Sequence, residues 1–199
     1  MEKYIITLSR QFASMGRTIA QAMSQELGIE FYDRDIVEKT AKRLGESVPE
    51  VSLIDEASVF SYSKRRYPLG MGLVSMQEEV YAVQSNIIRD LADRESCIIV
   101  GRCADYLLRD HPNVLNVYVY APEKARLRNC VEELGMDEKT ARRMIHEVDR
   151  ARELYRMRHC DGIKSVLDHR DILIDSSRFG PERTAKLLCN IVHTCFDVK

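Results

Sequence analysis

The sequence predicts an α/β fold, a parallel sheet covered by helices on both faces. Three observations predict it. Apolar runs of strand length alternate along the chain with segments of helical period. Two of those runs, residues 97–101 and 114–120, are near-continuous, as strands buried on both faces are. The chain also opens on a strand, a tight loop, Gly16-Arg17-Thr18 and a helix, which is the arrangement of a phosphate-binding loop.

The elements follow in order. Residues 4–8 read as a buried strand, and Ile19, Ala20, Met23 and Leu27 mark the apolar stripe of the next helix. Residues 28–32 read as a short second strand, after which Asp33 stands where it would cap a helix over 34–44. Residues 45–72, with Pro49, Pro68, Gly70 and Gly72, read as irregular, and a helix is expected over 75–93. After the strand at 97–101 comes the strand at 114–120, and Pro122 then suits the start of a helix over 123–134. Asp137 opens a long helix to about residue 158. Residues 171–175 form the last strand and 181–195 the last helix. Strands separated by helices imply right-handed crossovers, and in such sheets ligands bind at the carboxyl ends of the strands.

The loop has a clear physical basis. The first N–H groups of a helix lack internal partners and lie at the positive end of its dipole, so a phosphate finds donors and charge together. In the motif GxxxxGK[ST], lysine adds charge on the outer phosphates and the hydroxyl helps hold magnesium. Here Gly16 and Thr18 fall in place, Arg17 stands where the lysine belongs, and Gln11 stands at the first glycine. The same residues fit an ordinary strand-to-helix turn with Ser14 as the cap.

The other strand ends are also charged. Asp33-Arg34-Asp35 follows the second strand, Gly101-Arg102-Cys103-Ala104-Asp105 the third, Arg126 and Arg128 the fourth, and Ser176-Ser177-Arg178 the fifth. The long helix carries Arg142, Arg143, Arg150, Arg152, Arg156 and Arg158. Two readings of it stand. One is a surface helix laced by pairs such as Glu138–Arg142, Asp149–Arg152 and Glu153–Arg156. The other is a phosphate-clamping lid, for which the planar fork of arginine is suited.

Composition bounds the function. A chain of 199 residues with a 45% apolar share suits one α/β domain. The net charge of −1 argues against a general nucleic-acid binder, although Lys64-Arg65-Arg66 is a local basic run. No apolar run spans a bilayer, and the first residues lack the apolar stretch of a signal peptide. The six cysteines are dispersed without C-x-x-C spacing, which argues against zinc, and Cys97 and Cys195 are expected to be buried reduced thiols. These features point to a cytoplasmic protein.

Five blocks, SRQFASMGRTIA, GIEFYDRDIV, IIVGRCADYLL, VDRARELY and ILIDSSRFGPE, follow the order found in the cytidylate kinase-like family, which the chain resembles over nearly its whole length. That family is a branch of the nucleoside monophosphate kinases. The resemblance implies a three-layer P-loop kinase fold with a five-stranded parallel sheet. It implies one domain over 1–199, with a helical acceptor-binding insertion near 35–95 and a lid near 136–160. It implies ATP and Mg2+ as cofactors and a CMP-like nucleoside monophosphate, or a related small molecule, as acceptor. Ser14, Gly16, Arg17 and Thr18 would then cradle the donor phosphates, with Thr18 toward the metal. Asp33, Arg102, Cys103 and Asp105 would face the acceptor. Asp149 and Arg152 match the lid motif D-x-x-R, whose arginine clamps phosphates, and Arg178 lies in the region that faces the donor base. Two positions depart from the cytidylate kinases themselves: Arg17 replaces lysine, and Cys103 replaces aspartate. These departures leave open a nucleotide-binding regulator of the same fold that does not turn over.

Overall fold

The alternation of side chains along the first strand sorts the core into two layers. In the computed structural model, which describes residues 2–56, 71–162 and 165–197, β1 spans Ile5–Arg10. Its Ile6 and Leu8 enter one core, while Ile5 enters the other. The remaining strands are β2 (Glu30–Tyr32), β3 (Cys97–Val100), β4 (Val114–Tyr120) and β5 (Ile172–Asp175). They form a five-stranded sheet in the order β2-β3-β1-β4-β5, and every pair is parallel.

Helices cover both faces, as expected for buried parallel strands. On one face lie α1 (Gly16–Leu27) and α8 (Ser176–Phe196), whose Ile19, Ala20, Met23, Leu188 and Val192 pack on Ile6, Leu8, Ile98 and Val117. On the other lie α2 (Arg34–Leu44), α4 (Met71–Arg94) and the short α5 (Ala104–Leu107). Their Ile36, Ile87, Ile88, Leu91 and Ala104 pack on Ile5, Cys97 and Ile99. Two further helices, α6 (Glu123–Glu132) and α7 (Glu138–His159), close a small core of Cys130, Ala141 and Ile145 against Phe12 and Ala13 of the loop after β1. No helix among the described residues is long and apolar enough to cross a membrane.

Four expectations need correction. The stretch expected to be irregular contains α3 (Val48–Glu56). Its start is a capping box: the Ser47 hydroxyl accepts from the Glu50 N–H at 3.3 Å, and the Glu50 carboxylate accepts from the Ser47 N–H at 3.2 Å. Pro49 is tolerated because it sits in the first turn. The last helix begins at Ser176 rather than Pro181 and is broken at Gly180, whose φ of 75° separates the first turn from the rest. Cys195 is exposed, whereas the other five cysteines are buried. Ser14 does not cap α1, because Met15 holds the cap position with a left-handed backbone and no side-chain bond. The run Lys64-Arg65-Arg66, with most of segment 59–73, lies outside the described residues.

Candidate functional site

Gln11, Ser14 and Ser176 build the loop between β1 and α1. The Gln11 side chain accepts from the Ala121 N–H at 3.1 Å, tying the ends of β1 and β4. The Ser14 hydroxyl donates to the carbonyls of Gln11 (2.9 Å) and Val119 (3.2 Å). Ser176 in turn donates to the Ser14 carbonyl at 2.8 Å. Ser14 is therefore a buried strut, its hydroxyl spent on the fold. Ala13 and Met15 are both left-handed, with φ of 57° and 62°, a backbone that L side chains enter at a cost and that concentrates at functional loops.

The N-terminus of α1 is left open to an anion. Gly16, Arg17 and Thr18 are its first three residues, and N–H groups there have no partner within the helix. Met15 supplies no side-chain acceptor. Thr18 and Arg17 are exposed. Gly16 is required by a close approach, since a Cβ on it would lie 2.8 Å from the Cβ of Arg10.

Four arginines gather near one carboxylate at the strand ends, two of them paired with it. Asp33, at the start of α2, makes no capping bond. Its Oδ1 lies 3.4 Å from Arg10 Nη2 and its Oδ2 lies 3.4 Å from Arg17 Nε. Arg152 Nη1 donates to the Arg10 carbonyl at 3.0 Å. Arg102 follows β3 in a left-handed conformation, φ 57°. Burial, then the repulsion of Arg152, pushes the Arg10 guanidinium down to about 9, with Asp33 opposing and Arg102 and Arg17 adding to the push. Burial also lowers Arg102 and Arg152. Like charges held this close mark a place that an anionic ligand would relieve.

The structure thus brings together Arg17, Asp33, Arg102 and Arg152, and adds Arg10, which sequence reasoning missed. It places Cys103, Asp105 and Asp149 in internal contacts. The Cys103 thiol hydrogen-bonds to Cys160, which raises Cys103 and lowers Cys160. Asp105 is 1% exposed and pairs with Arg156 at 2.5 Å. Asp149 pairs with Arg126 at 2.5 Å and accepts from the Phe12 N–H at 2.7 Å. Of the pairs expected on α7, Glu138–Arg142 forms at 2.6 Å, while Asp149 and Arg156 reach across to other elements. Arg178 is exposed in the first turn of α8, after β5, at the sheet edge opposite Asp33. Among the described residues, no three His, Cys, Asp or Glu side chains are grouped to hold a metal alone.

The model of the cytidylate kinase-like family matches residues 5–178. The chain belongs to the cytidylate kinase-like family. None of the curated proteins matches it. Among solved structures, this cytidylate kinase-like chain is similar to an uncharacterized protein from Eubacterium ventriosum, with 23% identity and a TM-score of 0.70 over 96% of this chain and 99% of that one. It is also similar to shikimate kinase from Bacteroides thetaiotaomicron, with 13% identity and a TM-score of 0.56 over 96% and 98% of the two chains. A sugar kinase from Janibacter matches with 16% identity and a TM-score of 0.56 over 99% and 96%. At these identities the likeness concerns the fold, which is that of the P-loop kinases.

Proposed function

We propose that the chain is an ATP-dependent phosphotransferase whose acceptor is a CMP-like nucleoside monophosphate or a related small molecule. The observation that carries this reading is the cluster of Arg10, Arg17, Arg102 and Arg152 around Asp33, beside the open N-terminus of α1. Phosphoryl transfer asks a protein mainly for position and positive charge.

The residues fit magnesium-bound ATP, which when bound supplies the phosphoryl group. The N–H groups of Gly16, Arg17 and Thr18 would hold the donor phosphates, and the Thr18 hydroxyl would reach the metal through them. Arg178 would stand on the side of the donor base. Asp33 and Arg102 would meet the acceptor at the two borders of an insertion spanning about 35–95. Arg17 and Arg152 would neutralise charge as it builds on the migrating group. Asp149 would act as a positioning residue, holding the loop to the lid at about 136–160 within a single domain, 1–199, in the cytoplasm.

A second reading, a nucleotide-binding regulator without turnover, is favoured by the Phe12 N–H, a loop donor already taken by Asp149 at 2.7 Å. An ADP-release screen over nucleoside monophosphates, run beside calorimetry with ATP, separates the two. Release with one acceptor supports the phosphotransferase. Binding without release supports the regulator. Absence of nucleotide binding overturns both.

A further inference from the structure

We infer that Arg10, rather than Arg17, supplies the fixed cation between donor and acceptor, replacing from the strand end the lysine that the loop lacks. The inference rests on the phosphotransferase reading and deepens it.

Arg10 is the last residue of β1. Its stem runs across Gly16: a Cβ there would lie 2.8 Å from Arg10 Cβ and 3.1 Å from its Cγ. Its head passes Gly101, where a Cβ would strike Nη1. Two residues without side chains, one at the start of α1 and one after β3, therefore form a channel for a single guanidinium. The head ends at Asp33, 3.4 Å from Oδ1. The path joins the first residue of α1, where donor phosphates would rest, to Asp33, where the acceptor region begins.

Burial separates the two candidates. The Arg10 side chain is 20% exposed, while that of Arg17, whose Nε lies at the same 3.4 Å from Asp33, is 56% exposed. A side chain walled by backbone loses little freedom when it binds, whereas an exposed one must be ordered each time. The shape also fits. A guanidinium offers donors in one plane, so one edge can be held by Asp33 while others face phosphate oxygens. A lysine at position 17 reaches the outer phosphates from the helix. An arginine at position 10 reaches the same region from the sheet, its stem passing where Gly16 leaves room and its tip lying beside Gly101.

The test uses the full chain and five proteins: wild type, Arg10→Lys, Arg10→Gln, Arg17→Gln and Gly101→Ala, each first checked by thermal melting. Calorimetry with inorganic pyrophosphate measures anion affinity whatever the acceptor is, and ADP release with the acceptor found by the screen measures turnover. Arg10→Gln is expected to weaken pyrophosphate at least tenfold and to lower kcat at least a hundredfold. Arg17→Gln is expected to cost tenfold or less in each. Gly101→Ala keeps every charge but crowds Nη1 and also strains a backbone with φ of 79°, so it is read only where its melting matches wild type, and there it should follow Arg10→Gln. Should Arg10→Gln fail to fold, Arg10→Lys, which keeps the charge without the planar fork, decides with a loss of at least tenfold. Equal or greater losses in Arg17→Gln, or Arg10 variants within threefold of wild type, overturn the inference and leave the phosphotransferase reading in place. A wild type that binds neither pyrophosphate nor nucleotide overturns both.

Discussion

The carboxylate of Asp149 on α7 accepts the backbone N–H of Phe12 at 2.7 Å and pairs with Arg126 at 2.5 Å. One side chain thereby fastens the arginine-rich helix to the loop after β1. One turn on, Arg152 donates to the carbonyl of Arg10, the last residue of β1, at 3.0 Å, so the D-x-x-R pair grips the strand end and the loop that follows it. Arg156, a further turn along, reaches Asp105 beyond β3. Helix α7 is thus docked across the strand ends, with Asp149 and Arg152 on the segment Arg10–Phe12 and Arg156 on Asp105.

Removal of the Asp149 carboxylate should cost stability. Asp149→Ala strips a partner from the Phe12 N–H and from Arg126, which is 7% exposed. Breaking such a pair is expected to cost about 3 kcal/mol, given the partial exposure of the carboxylate. For a chain of this size that is a fall in Tm of roughly 6–12 °C. Asp149→Asn keeps an acceptor for Phe12 and should recover part of the loss. A thermal melt unchanged in Asp149→Ala would contradict the arrangement.

Asp105 should behave as a structural charge and not as an acceptor contact. It pairs with Arg156 at 2.5 Å and lies 4.0 Å from Arg170 Nε, and its Oδ1 has no hydrogen-bond partner among the described residues. Asp105→Ala leaves two inward arginines facing each other and should cost about 3–5 kcal/mol in urea denaturation. The double variant Asp105→Leu/Arg156→Met should cost less than Asp105→Ala alone, because it leaves one inward arginine, Arg170, instead of two. Additive losses would show that the two residues do not depend on each other.

The strands were legible because parallel strands buried on both faces leave apolar runs, as Cys97-Ile98-Ile99-Val100 does. The cap Asp137, whose side chain accepts from the Thr140 N–H at 3.0 Å, was equally plain. Helix α3 was hidden by Gly45 and Pro49, which read as breakers, although the spacing Ser47 to Glu50 carried its capping box. Arg10 was missed for a different reason. Its strand was read as ending at Leu8, but pairing with β4 continues to Arg10 opposite Val119, and those two residues carry the arginine into the site. The burial of Asp105 and the Asp149–Phe12 bond join residues far apart in sequence, and no local pattern marks them. The family order of the five blocks supplied the fold, while the roles of Ser14, Cys103 and Asp105 depended on contacts that order does not specify.

The cysteines offer a direct check on the sheet layers. Cys195 continues the apolar stripe of Leu188 and Val192, yet it is exposed, while its neighbour Phe196 stacks on Tyr4 with ring centroids 5.1 Å apart. Burial pushes the Cys97 and Cys189 thiols up to about 12, so they are doubly protected, by access and by protonation. The native chain should therefore react quickly with one equivalent of a thiol reagent, lost in Cys195→Ser, and with all six cysteines after denaturation. A second fast equivalent would mean that one of the five inner thiols is open to solvent.

Acid should loosen the far end of α7 through His159. Its ring stacks on Tyr81 at 3.9 Å with an interplanar angle of 18°, and Tyr155 lies 4.6 Å away. The Tyr81 hydroxyl donates to the His159 carbonyl at 3.3 Å. Burial, and then the charge of Arg158, lowers the imidazole from 6.5 to about 4. The unfolded chain therefore takes up this proton before the folded one does, and stability rises with pH across the interval. The contribution of a neutral His159 is full above about pH 6.5 and is lost as pH falls toward about 4. Its size is on the order of 1–2 kcal/mol once the ring's partial exposure is discounted. His159→Phe keeps a ring on Tyr81 but cannot titrate. Between pH 7 and pH 4.5 wild type should lose more Tm than His159→Phe, by roughly 2–6 °C. Parallel acid profiles for the two proteins would show that the imidazole does not titrate with folding.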